Sequence, residues 1–202
     1  MANVGESKRR RRSRSHNTTR VAILDAARRV AARDGARHLS LRATAAEAGF
    51  APAALYGYFR NKDELLLALA SEDLAVIARA MREAMERRDA ASPLAAASGA
   101  ALALLLQTET IAAAPAALRH RSGQNESERI FNGRLIGALN ALSRATGQST
   151  ASRAAQIDVV LLAASLTGLA VLARSGRLSA LGFETEELVA RLDARFASTI
   201  KP

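Results

Sequence analysis

No cysteine occurs in the sequence, which excludes disulfides, thiolate metal sites and cysteine nucleophiles together and suits a reducing compartment. Only three histidines are present, His16, His38 and His120, and none stands in a metal-ligand or triad spacing. A glycine-rich phosphate loop is missing as well. Neither an enzyme, a metal centre nor a cofactor is expected. Tryptophan is absent, aromatics make up 3% of the 202 residues, and β-branched runs are few. A long apolar run is also lacking. Val159 to Ala173 extends for 15 residues, carries Ser165, Thr167 and Gly168, and is flanked by Asp158 and Arg174. That falls short of the ~20 residues a bilayer span needs, so a buried helix and no membrane partner are expected. After the arginine run near the start, Val21 to Leu24 meets Asp25 at once, whereas a secretory signal needs ~7–15 uninterrupted apolar residues. Cytoplasmic residence follows as an expectation.

What is present is mostly helix former. Nearly half the residues (49%) are hydrophobic, chiefly Ala and Leu, and the chain is long enough for a sizeable core. The expected class is all-α. Charge is unevenly spread. Lys8, Arg9, Arg10, Arg11, Arg12, Arg14 and Arg20 stand against Glu6, so residues 1–20 carry +6 of the total +10. A basic arm over residues 1–16, disordered until it meets a partner, points to a polyanion such as nucleic acid or an anionic membrane surface. A solvated tail is the plain alternative.

Apolar spacing and caps place the helices. Ile23, Ala27, Val30 and Ala31 stripe a first helix from about Thr18 to Asp34, capped by Thr18 or Thr19, with Gly35 at its end. Ser40 caps a second helix ending at Ala48, and Gly49 is the break. Pro52 opens a third, ending near Phe59. Asn61 and Glu64 form a capping pair for a long fourth helix, striped by Leu66, Ala70, Leu74, Ile77, Met81 and Met85. A fifth runs from Leu94 to Ala113, interrupted or kinked at Pro115. Arg119 to Glu128 reads as a loop, Phe131, Ile136, Leu139 and Leu142 mark a further helix, and residues 152–174 and about 185–199 form the last two.

Residues 40–62 carry the chemistry. Two short helices hinged at a glycine, with Ala45 and Ala48 facing Leu55 and Phe59, meet the needs of a helix-turn-helix, whose second helix lies in the DNA major groove. Leu24 to Ala27, Gly35, Ser40-Leu41-Arg42, Ala45, Ala48-Gly49-Phe50, Leu55-Tyr56, Phe59, Lys62 and Glu64-Leu65 together resemble the DNA-binding domain of the tetracycline-repressor (TetR) family. The likeness covers roughly residues 18–70. It implies a three-helix DNA-binding domain over residues 17–63 and a helical ligand-binding and dimerisation domain over residues 64–202, about nine helices in all. It further implies a homodimeric regulator, usually a repressor, released from a palindromic double-stranded DNA operator by a small molecule.

By position in that family, Arg42 matches a base reader, Pro52, Ala53, Ala54, Tyr56, Gly57 and Tyr58 match the recognition helix, and Lys62 matches a phosphate contact. Chemistry agrees for three of them. Arg42 suits guanine O6 and N7. Tyr56 offers a hydroxyl to phosphate and a ring to a thymine methyl. Lys62, near a helix start, reinforces backbone amides toward phosphate. The chain departs from the family pattern at Ala51, where a capping Ser or Thr is expected, at Gly57 and at Tyr58. With no Arg, Lys, Asn or Gln in residues 52–59, the recognition helix is poorly equipped, which raises the weight on Arg42 and on Arg9, Arg10, Arg11 and Arg12.

Beyond residue 93 the chain offers candidates only. Gln107, Thr110, His120, Asn132 and Ser165 are polar groups in greasy surroundings that would orient a largely apolar effector. Val160, Ala164, Gly168 and Val171 on one helix, and Leu188, Leu192 and Phe196 on the next, make two stripes suited to a dimer interface or equally to intrachain core. Binding of nucleic acid or anionic membrane by the basic arm, without sequence preference, is the alternative function.

Overall fold

A computed structural model describes residues 3–87, 92–118, 126–147 and 152–197. Its described elements are ten α-helices and one 3-10 turn, so the all-α expectation holds. The helices are α1 (Asn3–Asp34), α2 (Leu41–Ala48), α3 (Pro52–Leu55), α4 (Lys62–Met85), α5 (Pro93–Leu105), α6 (Thr110–Leu118), α7 (Glu126–Ala145), α8 (Arg153–Arg174), α9 (Arg177–Ala180) and α10 (Thr185–Phe196). The 3-10 turn, Ala36–His38, joins α1 to α2.

α1, α2 and α3 pack around Ile23, Leu24, Ala27, Ala45, Leu55 and Phe59, all essentially inaccessible to solvent. The caps read at Ser40 and Asn61 are in place. The Ser40 hydroxyl accepts from Ala43 N at 3.1 Å, and Asn61 Oδ1 accepts from Glu64 N at 3.0 Å. Glu64 reaches back to Arg60 N at 2.8 Å, one residue before the cap itself. Gly49 takes φ of 72°, a left-handed value that lets the chain turn from α2 toward α3. Ser40→Ala should lower the unfolding free energy by about 1 kcal/mol in chemical denaturation, because α2 loses its only side-chain cap.

α4 is the shared element. Its stripe of Leu66, Ala70, Leu74, Ile77 and Met81 is buried, and it packs against α5, α6 and α7 while also touching α1. Around it the C-terminal body closes on Leu94, Ala101, Leu102, Phe131, Leu142 and Leu162.

Several expectations need correction. The basic arm is not disordered from residue 3 onward: it continues α1 without a break to Asn3. Arginine and lysine are good helix formers, and a Glu6–Arg10 pair at 3.3 Å supports that end. Thr18 and Thr19 therefore lie inside the helix and cap nothing. Their hydroxyls donate back to Arg14 O and Ser15 O, both at 3.0 Å. The expected third helix stops at Leu55. Ala51 provides no side-chain cap, and the chain leaves α3 in turns through Tyr56, Gly57 and Tyr58.

The expected fifth helix breaks at residues 106–109, not at Pro115, which lies within α6. Thr108 and Thr110 turn their hydroxyls onto Asp73 of α4, and that pulls the chain out of helical continuity. Residues 126–128 begin α7, so only 119–125 of the expected loop, His120 included, lie outside the described residues. α9 forms inside the turn-rich segment after Arg174, where Gly176 and Leu178 anchor a single short helix. α8 extends the apolar run at its N-terminal end through Ala154, Ala155 and Ile157. By length and composition it is apolar enough to cross a membrane, with mean hydropathy 1.9 over its window. Its Ala155, Val159, Leu162, Leu166 and Ala170 are buried, and the helix packs on α5, α7 and α10.

Candidate DNA-binding site and its connection to the C-terminal body

α2 and α3 present one exposed edge. Arg42, in the first turn of α2, is exposed and makes no hydrogen bond or ion pair with the described residues. Pro52, Ala53, Ala54, Tyr56 and Gly57 are all exposed, while Leu55 between them points into the core. Tyr56 is 62% exposed, far more than a packed tyrosine. Two alanine methyls, a proline ring, a tyrosine with its hydroxyl and one unpaired guanidinium are thus exposed on α2, on α3 and in the turn after it.

Two of the expected contacts are placed differently. Tyr58 is half-buried and stacks on His16 of α1, with ring centroids 4.5 Å apart and planes at 25°. Beside it the Arg20 guanidinium lies over the Phe59 ring at 5.4 Å. Together these hold α1 against the turn that follows α3. Lys62 donates from Nζ to Arg37 O at 2.5 Å, tying the start of α4 to the 3-10 turn. Its ammonium keeps two further donors for a phosphate.

Ion pairs fix α2 on α1. Glu47 accepts from Arg29 at 2.7 Å and from Arg33 at 3.0 Å, and those hydrogen bonds hold its carboxyl below the ordinary carboxylate range. Arg33 also pairs with Asp34, and the bonds to Asp34 and Glu47 raise its guanidinium further. These groups are exposed, so they orient α2 more than they stabilise it.

Sequence reasoning missed how this domain is joined to the rest. Asp73 of α4, nearly buried, accepts from Arg28 of α1 at 3.0 Å, from Thr108 at 3.0 Å and from Thr110 at 2.5 Å. Its neighbour Glu72 faces Arg20 and Arg28 at 3.8 and 3.6 Å, yet burial pushes its carboxyl above the ordinary value. Next to Thr108, Glu109 accepts from Ala36 N at 3.2 Å and pairs with Arg174 at the end of α8 at 2.7 Å. Arg174 also donates to the Thr108 carbonyl. Gly35, at φ of 84°, lies so close that an added Cβ would stand 3.4 Å from the Glu109 carboxylate.

The joint between α5 and α6 therefore grips α1, the 3-10 turn, α4 and α8 at once. The only sequence signal was Asp73 beside the apolar stripe of α4. Asp73→Ala should cost about 2 kcal/mol of stability in denaturant titration, since it removes the acceptor shared by Arg28, Thr108 and Thr110 and leaves the buried Thr110 hydroxyl only that of Thr108 as a partner.

The joint also borders a cleft of about 800 Å³ between the two parts, lined by Arg28, Arg33, Val76, Gln107, Glu109 and Arg174. Of the proposed effector residues, Gln107 and Thr110 line this cleft. Asn132 lies half-buried on α7, and Ser165 on α8 donates to Leu161 O at 2.8 Å. The structure does not bring these four to one site. A second groove of about 560 Å³ lies between α7 and α8, with Ile136, Leu139, Ile157 and Val160 among its walls.

The two expected dimer stripes also part company. On α8, Val160, Ala164, Gly168 and Val171 are exposed, whereas Leu192 and Phe196 of α10 pack on the protein's own core, with Leu188 half-buried beside them.

Residues 23–69, which hold this whole edge, match the sequence profile of the bacterial regulatory proteins of the tetR family. Over those residues the chain is similar to the tetR family. The HTH-type nicotine-responsive transcriptional repressor HdnoR of Paenarthrobacter nicotinovorans is 45% identical over 62 residues, 31% of this chain and 32% of that protein. The chain spans about a third of the length of these curated relatives.

The fold agrees over nearly the whole chain. A protein of unknown function from Rhodococcus sp. RHA1 superposes with a TM-score of 0.68 at 26% identity, covering 89% of this chain and 96% of that one. The regulator FadR of Bacillus subtilis, solved in complex with stearoyl-CoA, superposes with a TM-score of 0.60 at 20% identity over 90% and 99%. The tetR domain thus sits on a helical body of the kind these proteins share.

Proposed function

We propose that this protein is a ligand-responsive transcriptional regulator that binds a palindromic double-stranded DNA operator as a homodimer and acts as a repressor. The observation that carries the reading is the exposed edge of α2 and α3, with an unpaired Arg42 beside Ala53, Ala54 and Tyr56. In the groove Arg42 reads guanine, the alanines and the Tyr56 ring meet thymine methyls, and Lys62 fixes register on a phosphate. Tyr58 acts by positioning, through its stack on His16.

The second copy is supported by α8. Val160 and Leu161 are 56% and 51% exposed, and Ile157 and Val171 continue the same apolar face. Ala164 and Gly168 allow another helix to approach closely. Such a face on a helix of 22 residues is costly in water and is relieved by an identical face across a two-fold axis.

The effector is a largely apolar small molecule taken up by the C-terminal body. The cleft of about 800 Å³ beside the α5–α6 joint, with Val76, Ile77, Leu104 and Leu106 among its walls, supports that choice. Its binding is read out through the α5–α6 joint, which holds both the tetR domain and α8. Residence in the cytoplasm accompanies this role.

Binding to fragments of the protein's own genome, challenged with a large excess of random duplex, tests the reading. A small set of fragments should survive the challenge and show a symmetric footprint. Loss of all binding under competition would instead favour a basic-arm protein without sequence preference.

A further inference from the structure

Among the described residues of α1, none ahead of His16 is buried. Buried residues of α1 begin at Ile23, yet the helix starts at Asn3 and runs for 32 residues, about 48 Å at 1.5 Å per residue. Roughly the first 14 residues therefore project as an isolated rod. Isolated helices of that length are marginal in water, so a purpose for the rod must be sought outside the chain.

Its chemistry is one-sided in sign. Arg9, Arg10, Arg11 and Arg14 are exposed, and among them only Arg10 has an acidic partner, Glu6. Between Asn3 and Asn17 the only large apolar residue is Val4, so the rod has no apolar face with which to enter a lipid interface. The partner it fits is a polyanion read by charge and hydrogen bonds alone.

Position selects which polyanion. His16 stacks on Tyr58 and Arg20 covers Phe59, so this flank of α1 is clamped to the turn that ends the recognition helix. Arg9, His16 and Arg20 follow one another at spacings of seven and four, and position 12 falls on the same helical stripe. The stripe that touches the recognition turn thus continues outward as arginine. A helix docked beside the major groove brings such a stripe to the phosphates next to it.

We infer that the N-terminal extension of α1 is a second DNA-binding element, a rigid arginine helix that lies along the backbone phosphates flanking the site read by Arg42, and not a flexible strand threaded into a groove. This rests on the DNA-binding reading above. It means that the operator footprint of each subunit is longer than the tetR domain alone covers, and that rigidity, not charge alone, sets the affinity. The clamp through His16 and Tyr58 gives the recognition turn and the rod a common orientation, so Tyr58 serves both.

Salt-dependent operator binding of the full chain tests this with two variants. The first replaces Arg9, Arg10, Arg11, Arg12 and Arg14 with Gln. Its log–log salt slope should fall by about two or more, at roughly 0.9 per phosphate contact, and affinity at 50 mM salt should drop at least about tenfold. The second, Ser13→Pro, keeps every charge but breaks the rod, since proline removes a helical hydrogen bond and clashes with the preceding turn. It should lose a comparable share of affinity, together with protection of the flanking phosphates in ethylation interference.

If both variants match the parent in affinity and slope, the rod is a solvated tail. If only the arginine replacement weakens binding, the arm acts as a flexible polycation and the rigid-helix account is overturned. Binding of the full chain to phosphatidylserine vesicles, with operator affinity unchanged by the arginine replacement, would assign the arm to a membrane instead. A parent protein that enriches no operator at all contradicts the underlying DNA-binding reading, an outcome distinct from these three.

Discussion

Ala164→Glu should convert the protein to a monomer and lower operator affinity at least about 1000-fold. Ala164 is exposed in the middle of the α8 face, between Val160 and Gly168, so a glutamate there is harmless to the isolated chain. Across a two-fold axis the same position meets its own copy or a near neighbour, and two carboxylates would be brought together in an apolar contact. Burying an unpaired charge costs several kcal/mol, more than such an interface can absorb. The loss at the operator follows from symmetry. Specific complexes at physiological salt have dissociation constants of about 10⁻⁸–10⁻¹¹ M, and a monomer on one half-site forfeits roughly half of that free energy. Sedimentation and operator titration read the two effects separately, while circular dichroism checks that helix content is unchanged. A variant that stays dimeric and binds as before would place the interface elsewhere on the surface.

Arg42→Ala carries the second large effect. A bidentate arginine–guanine contact discriminates by about 1–3 kcal/mol, and a symmetric dimer makes it twice. The expected loss on the cognate site is therefore about 2–6 kcal/mol, or at least roughly 30-fold. The loss should be sequence-dependent. On sites altered at the base pair that Arg42 reads, parent and variant should bind alike, because nothing is left for the guanidinium to recognise. Arg42→Lys separates base reading from phosphate binding. Lysine retains the charge but not the fork, so it restores the salt slope and not the discrimination. Equal loss on every sequence would make Arg42 a phosphate contact.

The weight on Arg42 comes from how little α3 offers. Sequence reasoning anticipated this from Ala51, which cannot cap, and from Gly57, which weakens a helix. The structure carries the weakness further by ending α3 at Leu55. The caps at Ser40 and Asn61, the glycine hinge at Gly49 and the apolar stripes of α1 and α4 were equally legible, because each is a local rule satisfied by residues a few positions apart.

What escaped was non-local or cooperative. Thr108 and Thr110 fall inside the expected fifth helix, and what breaks it is Asp73, 35 and 37 positions away, which accepts from both hydroxyls. Nothing in the local pattern of Glu109 announces Ala36 and Arg174 as its partners. The two dimer stripes were indistinguishable by periodicity, and only packing shows that α10 turns Leu192 and Phe196 inward while α8 leaves Val160 bare. The arginine run looked disordered by composition, yet it is helical as an extension of a helix already nucleated by its buried half.

The α5–α6 joint gives the account its directional element. On the proposed function, a body that changed shape around a ligand would move α8, and Arg174 would pass that displacement to Glu109 and thence to the backbone of the 3-10 turn. Asp73 holds α1 to the same joint. The recognition edges of the two proposed subunits would then change separation as rigid bodies, which is all that release from a fixed half-site spacing requires.

Selection of binding sites from a random duplex pool by the full-length protein tests the central claim most directly. The account predicts an enriched inverted repeat whose half-sites are about 10 base pairs apart or a multiple of that, each with a guanine whose replacement abolishes the advantage of Arg42 over Ala. A pool that stays without any enriched palindrome, while the protein still binds duplex in a salt-sensitive way, would contradict it.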